Sequence, residues 1–124
     1  MPAQIESYKD LIVWQQAVDL VVAVYSTSRT WPKDELYGLT SQARRAATSI
    51  PANVAEGFAR ENRGSYVQFL RIAQGSLKEL ETHLIVAERI GLMDGRSSEL
   101  LLGQAESVGK LLRLLIRKLS GEPA

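Results

Sequence analysis

Cysteine is absent from the 124-residue chain, so neither a disulfide framework nor a thiolate metal site can form, and nothing argues for an oxidising compartment. Long apolar runs are absent too. The longest, Leu20 to Tyr25, has six residues against the roughly 20 that span a bilayer. The first ten residues carry Glu6 and Asp10 and lack the apolar stretch of a signal peptide, so the expectation is a cytoplasmic protein with no membrane partner. Aromatics make up only 6% of the chain and do not interleave with the arginines, which gives base stacking little support. His83 is the only histidine, and one imidazole cannot build a catalytic triad. Its acidic neighbours Glu79, Glu81 and Glu88 fall on different faces of one helix, so they do not form a convergent ligand set. Phosphate-binding loops, GxGxxG, HExxH and GxSxG are all missing. A protein with no catalytic residues, cofactor or metal is expected.

What is present reads as one globular domain over residues 1–124, with 45% hydrophobic and 23% charged residues and four prolines. Net charge is only +1, but it is unevenly distributed. Residues 41–75 hold five basic and two acidic groups and 107–124 four and one, whereas 1–40 hold three and five and 76–106 three and six. Basic surface must therefore come from two segments.

Apolar periodicity predicts an all-α chain. Leu11, Trp14, Val18, Val21 and Tyr25 step by three and four, giving a helix over about 11–29 that ends before Trp31-Pro32. Leu39, Ala43, Ala46, Ile50, Val54 and Phe58 give a second over about 39–59, kinked at Pro51. That proline crowds the Ala47 carbonyl at a cost near ~3 kcal/mol in a plain helix interior. Ser65 with Gln68 resembles a capping box, after which Leu70, Ala73, Leu77, Leu80, Leu84 and Ala87 hold a heptad until Gly91, for a helix over about 64–90. Ser97 or Ser98 can cap a fourth over about 97–119, with Leu101, Ala105, Val108, Leu112, Leu115 and Leu119 as its stripe. Short connectors favour an antiparallel up-down-up-down four-helix bundle. The alternative is a three-helix arrangement with the first helix detached.

Outside these stripes, helices 3 and 4 carry a second small or apolar line. Ile72, Gly75 and Val86, with Leu100, Gly103, Leu111 and Leu114, are the expected oligomer interface, because exposed glycines cost about 1 kcal/mol each unless close approach of another chain recovers it. Arg44, Arg45, Arg60, Arg63 and Arg71 are expected to gather at one end of the hairpin of helices 2 and 3, and Lys110, Arg113 and Arg117 form a stripe on helix 4. These eight residues are the candidate contacts to a nucleic-acid backbone, since guanidinium forks suit phosphate. Partly ion-paired solvated faces are the competing reading. Glu56 and Arg60 stand in the favourable i, i+4 order.

The segments GLTSQARRAATSIPANVAEGFAR (Gly38–Arg60) and FLRIAQGSLKELETHL (Phe69–Leu84), with LIVWQQAVDLVVAVY (Leu11–Tyr25) and WPKDELYGL (Trp31–Leu39), resemble the 23S rRNA intervening-sequence (S23) family of four-helix bundles. The resemblance extends to about Leu119. It implies an antiparallel bundle, commonly a homopentameric ring without catalytic activity, and kinship with the accessory variability protein of diversity-generating retroelements, which binds nucleic acid and a reverse transcriptase. Arg44, Arg45, Asn53, Glu56, Gly57, Gly75 and Glu79 occupy matching motif positions. Asn53, Thr48 and Ser49 are expected to satisfy polar groups freed by Pro51. The chain departs from the retroelement relatives in being near neutral rather than strongly basic. Two functional readings follow: an oligomeric bundle that contacts RNA or DNA backbone, and a protein-interaction scaffold without nucleic acid. Membrane-surface docking through Leu111–Leu119 ranks last, because those leucines are needed in the core.

Overall fold

The computed structural model describes residues 4–121, which hold four long helices and, among the described residues, no strand. They are α1 (Ile12–Ser28), α2 (Ser41–Phe58), α3 (Arg63–Arg89) and α4 (Gly95–Ser120). Each helix packs on the next and α1 packs on α4, so the four surround one core, and α1 is not detached. The contacts are consistent with an up-down-up-down order. Ser49 meets Ser76, while Gly57, farther along α2, meets Tyr66 and Phe69, so position along α3 falls as position along α2 rises. In the same sense Leu77 lies against Gly109, and Glu88 against Gly95.

The caps differ from the expected ones. Asn62 rather than Ser65 caps α3, its Oδ1 accepting from the Ser65 amide at 2.8 Å. Asp94 caps α4, its Oδ1 accepting from the Ser97 amide at 2.7 Å. In both cases the acceptor lies three residues before the donor. Asn, Asp and Ser cap about equally well, so it is where the helix starts, one turn before the expected serine caps, that puts Asn62 and Asp94 in the capping position. Helix α3 ends at Gly91, whose φ of 85° lets Leu92 N–H donate to Ala87 C=O at 2.9 Å and Gly91 N–H to Glu88 C=O at 3.1 Å. This is the glycine-terminated cap that satisfies otherwise orphaned carbonyls.

The heptad of α3 is buried along its whole length. Two other stripes shift. In α1 the core residues are Val13, Ala17, Leu20, Val24 and Ser28, whereas Leu11, Trp14, Val18 and Val21 are half-buried beside them and Tyr25 is exposed. This helix is apolar almost all round, so two overlapping stripes satisfy the spacing, and the neighbours choose between them. In α4 the last fully buried residue is Ile116, and Leu115 and Leu119 are half-buried against the core. A straight helix drifts about 20° per heptad against a 3.5-residue repeat, which moves the seam by one position.

Pro51 is buried within α2. Thr48 Oγ1 donates to the carbonyls of Arg44 and Arg45, and Asn53 Nδ2 to the Ser49 carbonyl. None of these bonds ends on the Ala47 carbonyl, contrary to expectation, because side chains of this length reach back three or four residues and so land on either side of it. Asn53 also donates to Ser49 Oγ at 3.0 Å, and Ser49 Oγ shares a 2.7 Å hydrogen bond with Ser76 Oγ across the α2–α3 seam.

Before α2, a π-helical turn over Leu36–Thr40 is held by Glu35, whose carboxylate accepts from the Leu39 amide at 3.2 Å, and is broken at Gly38 (φ −108°, ψ −114°). The turn leaves Tyr37 projecting, with 93% of its surface exposed.

Candidate functional site

The eight basic candidates do not form one patch. Arg44 and Arg45 stand near the start of α2, and Arg60 and Arg63 lie beyond its end. The fourteen helical steps from Arg44 to Phe58, at 1.5 Å each, put about 21 Å of helix between the two pairs. The expected convergence of all five arginines at one end of the hairpin is therefore corrected. Sequence proximity to the hairpin was misleading because a helix of this length carries its two ends to opposite ends of the bundle.

At the start of α2, the half-buried Arg44 donates from Nε to Ser28 Oγ at 2.9 Å, and its guanidinium lies 4.6 Å from the centre of the Tyr25 ring. Arg45 is exposed beside it. Tyr25, Leu36, Tyr37, Ser41, Arg44 and Arg45 line a groove of about 390 Å³. At the other end of α2, Arg60 lies 4.5 Å from the Phe69 ring centre and 4.0 Å from Glu56, which makes it part of an aromatic cluster in which Phe58 and Tyr66 meet edge to face. Burial raises the Tyr66 phenol pKa above its ordinary value.

A third place lies between α3 and α4. Arg71, Gln74, Gly75 and Lys78 of α3 and Gly109 and Arg113 of α4 line a groove of about 410 Å³. Lys78 pairs with Glu81 at 2.9 Å. Among the described residues Arg71 and Arg113 make no ion pair. Of the α4 stripe, Lys110 is held by Glu106 at 3.4 Å, Arg113 is exposed and Arg117 is half-buried. Arg63 is exposed at the first turn of α3. Farther along the same seam the sign reverses, and Glu88, Glu99 and Glu106 surround Gly95 and Gly103.

The outward faces of α3 and α4 expose apolar side chains. Leu100 is 64% and Leu114 55% exposed, Ile72 and Val86 are exposed as well, and a Cβ on Gly75 or Gly103 would meet nothing within 4 Å. Leu111 departs from the expected interface set, because it is half-buried and packs against the core. Leu36 and Tyr37 were not singled out by periodicity. Their only sequence signal is a large apolar pair beside Gly38 in a connector that no core stripe claims.

His83 Nε2 lies 3.2 Å from Glu79 Oε2. Among the described residues no three of His, Asp and Glu gather where they could hold a metal ion, and no helix is long and apolar enough to cross a membrane. The motif residue Gly57 has a packing role, since a Cβ there would come within 2.9 Å of Phe69 Cβ and 3.2 Å of the Tyr66 carbonyl.

The family model of the 23S rRNA-intervening sequence protein matches residues 9–114. Among solved structures, a protein of unknown function from the S23 ribosomal protein family of Bacteroides thetaiotaomicron superposes with a TM-score of 0.77 at 22% identity, over 86% of this chain and 99% of that one. At that identity the likeness concerns the fold. No curated protein matches the chain.

Proposed function

Starting from the premise that the chain belongs to the 23S rRNA-intervening sequence protein family, we propose that it is a non-catalytic bundle of the cytoplasm that assembles with copies of itself, as a ring of five, and grips the phosphate backbone of RNA or DNA. The observation that carries the binding half is the pair Arg71 and Arg113. Two different helices bring them to one open groove, and neither is neutralised by a carboxylate. Planar guanidinium donors in that setting suit a phosphate oxygen, and a ring repeats the groove once per subunit, so weak contacts add. Self-assembly is supported by Leu100 and Leu114, large apolar side chains that a lone bundle leaves in water, and by the open space above Gly103, about one helical turn from Leu100.

Fluorescence anisotropy with a labelled duplex at two salt concentrations tests the binding. Affinity should fall steeply with salt. The double variant Arg71→Ala, Arg113→Ala should lower the slope of log K against log salt by about one per lost phosphate contact. Binding that ignores salt, or is absent, removes the proposal. Sedimentation at micromolar concentration should give one species at five times the 13.7 kDa chain mass, and a stable monomer removes the ring.

A further inference from the structure

We infer that the groove formed by Tyr25, Tyr37, Ser41, Arg44 and Arg45 takes an unstacked base of single-stranded nucleic acid, with Tyr37 as the stacking platform and Arg45 on the adjoining phosphate. This rests on the nucleic-acid reading above and assigns it a second, chemically different site. Three elements supply the groove: Tyr25 from α1, Leu36 and Tyr37 from the π-helical turn, and Ser41, Arg44 and Arg45 from α2. Along the chain these aromatics and arginines stand apart, and only the fold interleaves them.

The geometry favours a flat, electron-rich ligand attached to an anion. Arg44 is already placed, its Nε bonded to Ser28 Oγ at 2.9 Å and its guanidinium 4.6 Å from the Tyr25 ring centre. One planar cation over one aromatic ring makes a rigid wall on which a base can stack. Tyr37 is 93% exposed, a ring whose face no protein group covers, held out by a turn that Glu35 pins through the Leu39 amide. No carboxylate lines the groove, and Arg45 makes no ion pair among the described residues, so its field favours a phosphate. The groove at Arg71 and Arg113 has no aromatic lining, so it offers phosphate contacts without stacking. A single strand can use both sites, whereas a duplex, with its bases already stacked, can use only the second.

The test compares a labelled oligothymidylate with a labelled duplex, using the full chain and its Tyr37→Ala and Tyr37→Phe variants. Because Tyr37 is exposed, neither substitution disturbs the core. The expected result is that Tyr37→Ala weakens oligothymidylate binding at least about five-fold, as the loss of one base stack would. Duplex binding and its salt slope should be unchanged, and Tyr37→Phe should retain full single-strand affinity. Equal single-strand affinity of Tyr37→Ala and the unaltered chain overturns the inference while the backbone reading stands, as does a wild-type chain that binds duplex but shows no Tyr37-dependent single-strand binding. A change in sedimentation of Tyr37→Ala marks the groove as a subunit contact and also overturns it. Absence of binding to either probe removes both readings.

Discussion

Gly57 and Phe69 stand so close across the α2–α3 seam that a Cβ on the glycine would lie 2.9 Å from that of the phenylalanine, with the Tyr66 carbonyl 3.2 Å away. The Tyr66 ring carbon Cδ1 lies 3.0 Å away and can turn aside, but Phe69 Cβ and the Tyr66 carbonyl move only with the α3 backbone, so α2 and α3 touch here where α2 has no side chain. Gly57→Ala should therefore destabilise the fold by about 1–3 kcal/mol, the range for overpacking a tight contact, despite alanine's better helix propensity. The midpoint of urea unfolding measures it, and an unchanged or raised midpoint would show that the seam yields.

Gly75 and Gly103 behave in the opposite way. Both lie within helices with open space above them, so in an isolated bundle alanine at either position should gain up to about 1 kcal/mol from helix propensity. Gly75 lines the groove of Arg71 and Arg113, so the subunit contact falls to the Gly103 face; if another copy packs there, the methyl added at Gly103 should weaken the assembly. The expected outcome for the double variant is a chain that unfolds at higher urea once dissociated but sediments as a smaller species. A gain in stability with unaltered assembly would place the subunit contact elsewhere.

Asp94 links the start of α4 to pH. Hydrogen bonds from the backbone and side chain of Ser97 hold its carboxyl below the ordinary value of 3.8. A carboxylate with a depressed folded pKa contributes stability that is fully present above the unfolded value and is lost as pH falls through the folded one. Asp94 is exposed, so solvent screens much of the effect. The difference in unfolding midpoint between the unaltered chain and Asp94→Ala should be constant at neutral pH and shrink as pH drops below 3.8. A difference that stays the same down to strong acid would mean that the charge plays no part in the cap.

The heptad of α3 was legible residue by residue, from Leu70 to Ala87, because its leucines and alanines recur without a break at three- and four-residue spacing, which the outer apolar residues Ile72 and Val86 do not. The stripe of α1 was not. With Val13, Val18, Leu20, Val21 and Val24 on adjoining faces, local spacing permits two solutions, and contact with α2 and α4 selects the one through Ala17 and Leu20. The caps at Asn62 and Asp94 displaced the expected serines for a similar reason, since a cap is decided by which oxygen reaches an amide three residues on.

Of the basic candidates, the sequence marked the residue types and their helices, and the nearness of Arg71 to Arg113 needed the packing of α3 on α4. That Tyr37 and Arg45 line one groove was beyond it altogether, because it depends on where a broken turn at Gly38 sends the chain.

Helix number, the all-α class and the family motifs are local properties of the chain, set by the spacing of apolar side chains over a few turns, and they were written in the sequence alone. The faces that meet, the distance between the two arginine pairs and the joining of aromatic to guanidinium groups were decided by the tertiary structure. Those depend on residues far apart in the chain, whose relative placement follows from how four helices share one core.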